Sequence, residues 1–263
     1  MKHISSRDNA QFKRLKGLAE DARSRRAEAA TLIDGEHLLE AALESDWPLS
    51  RLLLQEGMEN SPVVRSALAA LGERGLSPEV LVLAPALFKA LSPVVTPTGI
   101  LAEIPLHGPR RETDSTDDVL VLAGVQDAGN LGTLLRTAAA AGCRQAWLDR
   151  QCAQAWSPKA MRAGMGAQFR LVIEEGCDLV QRLANCGRQV LATSLADDSV
   201  SLYALDLSVP SVWVFGSEGQ GVPTDLLALA SRRVTIPMPG MIESLNVGAA
   251  AAVCLFEQVR QRI

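Results

Sequence analysis

Five polar side chains stand at three places where an apolar, strand-like run gives way to a glycine-containing turn. Val119 to Gly124 is followed by Asp127-Ala128-Gly129-Asn130-Leu131-Gly132-Thr133-Leu134-Leu135-Arg136, which opens an Ala-rich helix. Val212 to Phe215 is followed by Gly216-Ser217-Glu218-Gly219-Gln220-Gly221. Ile236-Pro237-Met238-Pro239-Gly240 is followed by Met241-Ile242-Glu243-Ser244-Leu245-Asn246 and a second Ala-rich stretch. A guanidinium stays protonated and can grip a phosphate through two parallel N–H donors. Carboxamides, a hydroxyl and a carboxylate can orient that cation or a substrate, and glycines let backbone close on a ligand. Strand ends carrying Asn130, Arg136, Glu218, Ser244 and Asn246 therefore predict a site at one edge of a parallel sheet.

Other chemistries fit these residues less well. Gly216 to Gly221 could cradle a phosphate ahead of Pro223-Thr224-Asp225, so a Rossmann-like nucleotide-binding protein is the alternative. Against it, the order is G-x-x-G-x-G, no Lys-Ser/Thr pair follows, and Ile236-Pro237 stands where an acid for a ribose would be needed. A serine hydrolase is excluded, because His3, His37 and His107 all precede the second half of the chain and no G-x-S-x-G elbow exists. Ser244 or Asn246 is expected to cap the helix that follows. A lone Arg is most often a surface residue, and the Asn-x5-Arg context is what singles out Arg136.

The elements that must position these residues fall into two α/β domains. In the first, Thr31–Ile33, Arg51–Leu54 and Val80–Leu83 read as strands, each followed by a helical segment, at Glu36–Leu43, Val63–Leu71 and Ala86–Leu91. Residues 107–118 are charged, Pro/Gly-broken and free of large apolar side chains, which predicts a linker between domains at 1–106 and 119–263. The second domain has strand-like runs near Val119–Ala123, Gln145–Leu148, Phe169–Ile173, Gln189–Thr193, Val212–Phe215 and Val234–Ile236. Continuous apolar runs, rather than alternating ones, predict a mostly parallel sheet buried on both faces.

Charge is unevenly distributed. The net charge is −4, yet residues 1–30 hold eight Lys or Arg against four acids, leaving −8 for the remainder. That pattern suits a basic N-terminal helix touching phosphate through Lys13, Arg14 and Lys16, although a solvated face would look the same. No apolar run approaches membrane length and the N-terminus lacks a signal core, which predicts a soluble cytoplasmic protein without membrane contact. The cysteines at 143, 152, 177, 186 and 254 form no C-x-x-C pair, so reduced thiols and no metal are expected.

Taken in order over Val119 to Ile263, the Asn-x5-Arg, Gly-x-Glu-x-x-Gly and Ile-Pro-Met…Ser-Leu-Asn elements resemble the three motifs of the SpoU/TrmH branch of the SPOUT methyltransferases. Arg162-Ala163-Gly164-Met165-Gly166-Ala167 is similar to the loop between the family's first two motifs. Ala128, where a Pro is usual, and Gly248, where a Ser is common, depart from the pattern without removing a reactive group. The resemblance implies transfer of a methyl from S-adenosylmethionine to an RNA ribose 2′-hydroxyl, with a trefoil knot in the catalytic domain. It implies catalytic parts for Arg136, Asn130, Glu218, Ser244 and Asn246, and cofactor contacts from Thr193, Gly216, Ser217, Gly221, Ile236, Met238, Leu245 and Asn246. RNA contacts are expected from Lys13, Arg14, Lys16, Arg136 and Arg162. Ile4-Ser5-Ser6…Asn9 and Asp34-Gly35-Glu36-His37-Leu38-Leu39 resemble a substrate-binding domain that precedes the catalytic one in many SpoU proteins, which favours ribosomal over transfer RNA. A homodimer pairing through the last helix is implied, and a non-enzymatic RNA-binding protein on the same fold is the remaining alternative.

Overall fold

A computed structural model describes residues 1–109, 111–240 and 242–263; Arg110 in the expected linker and Met241 in the third motif lie outside the described residues. Two compact units emerge, residues 1–109 with Trp156–Phe169, and Arg111–Ala155 with Arg170–Ile263. The stretch 156–169 thus groups with the first unit, although by sequence it sits within the second half.

The first unit runs β1 (Lys2–Ile4), α1 (Ala10–Glu20), α2 (Ala22–Glu28), β2 (Ala30–Asp34), α3 (Glu36–Glu44), β3 (Arg51–Gln55), α4 (Pro62–Glu73), β4 (Glu79–Leu83), α5 (Pro85–Leu91) and β5 (Ile100–Pro105). Its sheet has the order β1-β4-β3-β5-β2, with β5 antiparallel to both neighbours. The expected single basic helix is two helices. Asp21 is extended, and its carboxylate accepts the N–H groups of Arg23 and Ser24, so one residue stops α1 and caps α2. On α1, Phe12, Leu15 and Leu18 recur at helical spacing and are buried against Leu53, Leu81, Phe88 and Leu101. Glu103 of β5 lies beneath them, 2% exposed, and takes hydrogen bonds from Arg14 (2.8 and 3.0 Å) and Arg51 (2.8 Å). Burial would push the Glu103 carboxyl up, but those two guanidinium partners outweigh it and hold it below the ordinary glutamate range.

From residue 111 the chain forms β6 (Val119–Leu122), α6 (Ala128–Ala140), β7 (Gln145–Leu148), α7 (Pro158–Gly164), β8 (Val172–Glu175), α8 (Leu179–Ala184), β9 (Gln189–Thr193), β10 (Val200–Ser201), β11 (Ser211–Phe215), α9 (Thr224–Leu229), β12 (Arg232–Thr235) and α10 (Val247–Arg262). Helix α7 belongs to the first unit, where Trp47 sits between Trp156 and Phe169 at 5.3 and 5.1 Å and the Thr31 hydroxyl donates to the Trp156 carbonyl at 2.6 Å. The strand expected at Phe169–Ile173 begins later. Ala167–Phe169 is a 3-10 turn that buries Phe169, and β8 starts at Val172 opposite Gln145.

The second sheet has seven parallel strands in the order β10-β12-β9-β11-β6-β7-β8. Alternation along β11 assigns the two faces. Val212 and Val214 pack with Leu226 of α9 and Leu179 of α8, while the Trp213 indole donates to Gln258 of α10 at 2.7 Å. At its far end α10 is tied down by Arg262, which binds Asp118 through both terminal nitrogens, and Asp118 also accepts the Ser211 N–H at 2.8 Å. Since every strand is parallel, all seven carboxyl ends lie along one edge.

Candidate functional site

The three motifs meet at that edge. Asp127 caps α6 by accepting the N–H groups of Gly129 (2.7 Å) and Asn130 (2.9 Å), which places Asn130 in the first turn. Asn246 caps α10, its Oδ1 accepting Gly248 N–H at 2.9 Å and Ala249 N–H at 3.4 Å. With that oxygen engaged, the Asn246 Nδ2 donates to Asn130 Oδ1 at 3.3 Å, and the Asn130 Nδ2 donates to Glu218 Oε1. Each amide orientation is fixed by the one before it. A carboxylate and two carboxamides from three separate strand-to-loop junctions thus form one hydrogen-bonded chain, Glu218–Asn130–Asn246.

Beside this chain lies a cleft of ≈ 520 Å³ at the carboxyl ends of β9, β11 and β12. That volume is in the range of small-molecule sites. Thr193, Gly216, Ser217, Gly221, Ile236, Met238 and Leu245 all line it, as do Glu218 and Ser244. Asn246 does not, and stands next to it at the start of α10. Sequence reasoning missed apolar walls contributed by Val222, Leu227, Val247 and Ala250. Val247 and Ala250 lie in the Ala-rich run that reads only as helix.

Glycine chemistry shapes the cleft. A β-carbon at Gly216 would lie 1.9 Å from the Gly221 carbonyl oxygen, so this close backbone crossing admits no side chain. Gly221, at φ +68°, closes the turn by donating its N–H to the Ser217 carbonyl at 2.9 Å. The loop is therefore folded on itself into a rim.

Other expected residues are placed differently. Arg136 lies further along α6, exposed, with no hydrogen bond or ion pair among the described residues. Ser244 is exposed in the cleft wall and the cap role falls to Asn246. Lys13, Arg14 and Lys16 are on α1 and Arg162 is on α7, all in the first unit. Lys13 pairs with Asp8 and Lys16 with Glu20 at the surface, whereas Arg14 is held by Glu28 and the buried Glu103. The Cys152 thiol, near the exit of β6, is pushed up to about 12 by burial and then by the charge of Asp149, so it is not a nucleophile at neutral pH. Among the described residues no group of three or more His, Cys, Asp or Glu could hold a metal ion.

A parallel α/β sheet with a cleft and an orienting polar chain at its carboxyl edge defines a ligand-binding α/β protein of the enzyme type. Comparison with known proteins makes the assignment specific. The model of the SpoU rRNA methylase family matches residues 118–256, and that of an MRM3-like substrate binding domain matches residues 9–102. The chain belongs to the SpoU rRNA methylase family. It is 33% identical to an uncharacterized tRNA/rRNA methyltransferase of Synechocystis sp. over 98% of this chain and 94% of that one. It is 32% identical to the 23S rRNA (guanosine(2553)-2′-O)-methyltransferase of Bacillus subtilis, covering 97% of this chain and 98% of that one. Its fold is similar to that of a Streptomyces viridochromogenes SpoU methyltransferase in complex with AdoMet, with a TM-score of 0.83 at 26% identity over 97% of this chain and 98% of that one.

Proposed function

We propose that this chain transfers a methyl group from S-adenosylmethionine to a ribose 2′-hydroxyl of ribosomal RNA. The observation that carries the reading is the Glu218–Asn130–Asn246 chain alongside a cleft with apolar walls and the glycine-rich 216–221 rim. The Bacillus relative named for 23S rRNA and the structural neighbour in complex with AdoMet support it.

The cleft suits an adenosyl group: Leu195, Ile236 and Leu245 offer apolar contact, and the 216–221 rim offers backbone N–H and C=O groups. When bound, S-adenosylmethionine supplies an electrophilic methyl on sulfur. The protein's part is positioning and electrostatics. Asn130 and Asn246, linked to Glu218, hold the ribose. The Arg136 guanidinium acts by gripping an RNA phosphate and by offering positive charge to the ribose oxygen as its proton passes to solvent. Ser244 contributes a hydroxyl to the same wall. Residues 1–106, together with 156–169, serve as the RNA-binding domain, with Lys13, Lys16 and Arg162 on its surface, and the rest of 119–263 as the catalytic one. Arg14 is occupied inside its own domain and contributes to folding instead. We further infer a cytoplasmic homodimer with a trefoil-knotted catalytic domain.

The test is methyl incorporation from labelled S-adenosylmethionine into ribosomal RNA isolated from a host strain lacking this protein, followed by mapping of 2′-O-methyl sites. Label at one ribose is the expected result. Incorporation into transfer RNA alone would move the substrate class, and calorimetric binding of NAD without S-adenosylhomocysteine would remove the methyltransferase reading.

A further inference from the structure

The cleft occupies the ends of β9, β11 and β12, leaving the ends of β6, β7 and β8 as the other half of the same edge. An in-line transfer needs the acceptor hydroxyl beside the cleft, so something on this second half must meet the incoming nucleotide. At the exit of β7 stands Asp149-Arg150-Gln151. Its backbone is zipped to the exit of β6: Asp149 N–H donates to the Leu122 carbonyl (3.2 Å), Gly124 N–H to Asp149 Oδ2 (3.0 Å), and Ala153 N–H to the Val125 carbonyl (2.8 Å). Asp149 Oδ1 also accepts the N–H groups of Gln151 (3.0 Å) and Cys152 (2.9 Å). The turn is a fixed platform.

Two side chains project from it without partners. Arg150 and Gln151 are exposed, and neither side chain makes a hydrogen bond or ion pair among the described residues. In the same unit Arg144, Arg182, Arg233, Arg260 and Arg262 each find a carboxylate, and Arg188 and Arg232 find backbone carbonyls. Arg150 shares the unpaired state with Arg136. Gly124 locates Gln151 relative to the cleft. A β-carbon at Gly124 would lie 3.7 Å from Ser217 Cβ, which lines the cleft, and 3.8 Å from Gln151 Oε1. With φ at +69°, Gly124 disfavours any side chain there, and so keeps a gap open between Gln151 and the cleft wall.

We propose that Arg150 and Gln151 form the acceptor-side wall of the site, Arg150 holding a phosphate of the RNA strand and Gln151 meeting the target nucleotide with its carboxamide. A carboxamide both donates and accepts, so it can match a base edge or a ribose hydroxyl, while an unpaired guanidinium suits a phosphate oxygen pair. This rests on the methyltransferase reading above.

The experiment measures steady-state methylation of ribosomal RNA from a host strain lacking the protein, at several salt concentrations, for wild type, Arg150→Ala and Gln151→Ala, with calorimetry of S-adenosylhomocysteine alongside. Arg150→Ala is expected to raise the KM for RNA about tenfold and to reduce the salt slope by about one. Gln151→Ala is expected to lower kcat/KM about tenfold with the salt slope unchanged. Homocysteine-product affinity stays at the wild-type value in both, which also reports intact folding. Wild-type kcat, KM and salt slope in both variants would overturn the proposal and leave these residues as solvated surface. Loss of S-adenosylhomocysteine binding would also overturn it, by moving them to the cofactor side. A wild-type protein that binds S-adenosylhomocysteine but methylates no RNA would instead refute the underlying functional reading.

Discussion

Arg136 and Gly216 show how a single side chain, or its absence, is expected to act. Arg136 is exposed and unpaired, so replacing it removes no contact that holds the fold together. Arg136→Ala should therefore leave the melting temperature and S-adenosylhomocysteine affinity at wild-type values while reducing methyl transfer by about two orders of magnitude or more, the scale of a lost transition-state stabiliser. Arg136→Lys should fail as well, because a point charge cannot reproduce a bidentate fork. Single-turnover rates and calorimetry on the same preparations check both statements, and near-normal turnover in the Lys variant would sink the assignment. Gly216→Ala should behave in the opposite way. Its added methyl meets the Gly221 carbonyl at 1.9 Å, so the rim of the cleft must open. Calorimetry should show S-adenosylhomocysteine affinity falling at least about tenfold, the consequence of misplacing a built wall.

At the level of elements, the N-terminal sheet is held by one buried carboxylate shared between α1, β3 and β5. Glu103 joins Arg14 and Arg51, and it is held below the ordinary glutamate value of 4.5 despite its burial. Because its folded-state value is depressed, its stabilisation is complete above the unfolded value and is lost as pH falls through the folded one. Thermal melts of wild type should therefore decline below about pH 4.5, and Glu103→Gln should flatten that decline while costing about 3 kcal/mol at neutral pH, as a buried ion pair loses one member. Asp34 has the reverse sign. Burial pushes its carboxyl up against the pull of the Ser92 hydroxyl and the charge of Arg162, so its contribution is lost as pH rises through the folded value. Asp34→Asn should accordingly keep or raise the melting temperature at pH 7.

The same elements show what was legible in the sequence. Gln145–Leu148 and Gln189–Thr193 read as strands with the observed bounds, because apolar runs ending in turns carry their own limits. Lys2–Ile4 and Ile100–Pro105 did not, since one is three residues long and the other is fixed only by antiparallel pairing with β2 and β3. Arg14 looked like a phosphate ligand because its partner Glu103 is 89 residues away. The departure at Gly248 also acquires a reason only in three dimensions: a β-carbon there would lie 3.1 Å from Asn246 Oδ1 and 3.2 Å from the Thr133 methyl, where α10 meets α6.

For the whole molecule, the decisive element is α10, whose two faces answer different demands. Val247, Ala251, Cys254, Leu255 and Gln258 are buried within the chain's own fold, and Gln258 and Arg262 tie the helix to Trp213 and Asp118. The opposite row runs through Ala249, Val253, Phe256 and Arg260 at spacings of four, three and four, and Phe256 is 47% exposed. Ala249 on that row permits close approach of a second helix, and an exposed Phe one turn from Val253 supplies apolar area that a monomer has no use for. The proposed homodimer would pair this row with its symmetry mate, since a two-fold interface brings the same patch of each subunit together. Two N-terminal domains would then be available to one RNA, raising effective concentration without new contacts. Light scattering at micromolar concentration should give twice the chain mass of 28.1 kDa. Phe256→Glu should weaken dimerisation about a hundredfold, since a desolvated charge replaces an aromatic anchor, while the buried face and hence the melting cooperativity of the monomer stay intact. If the wild-type protein is a fully active monomer at that concentration, the pairing is refuted and Phe256 is an isolated surface residue.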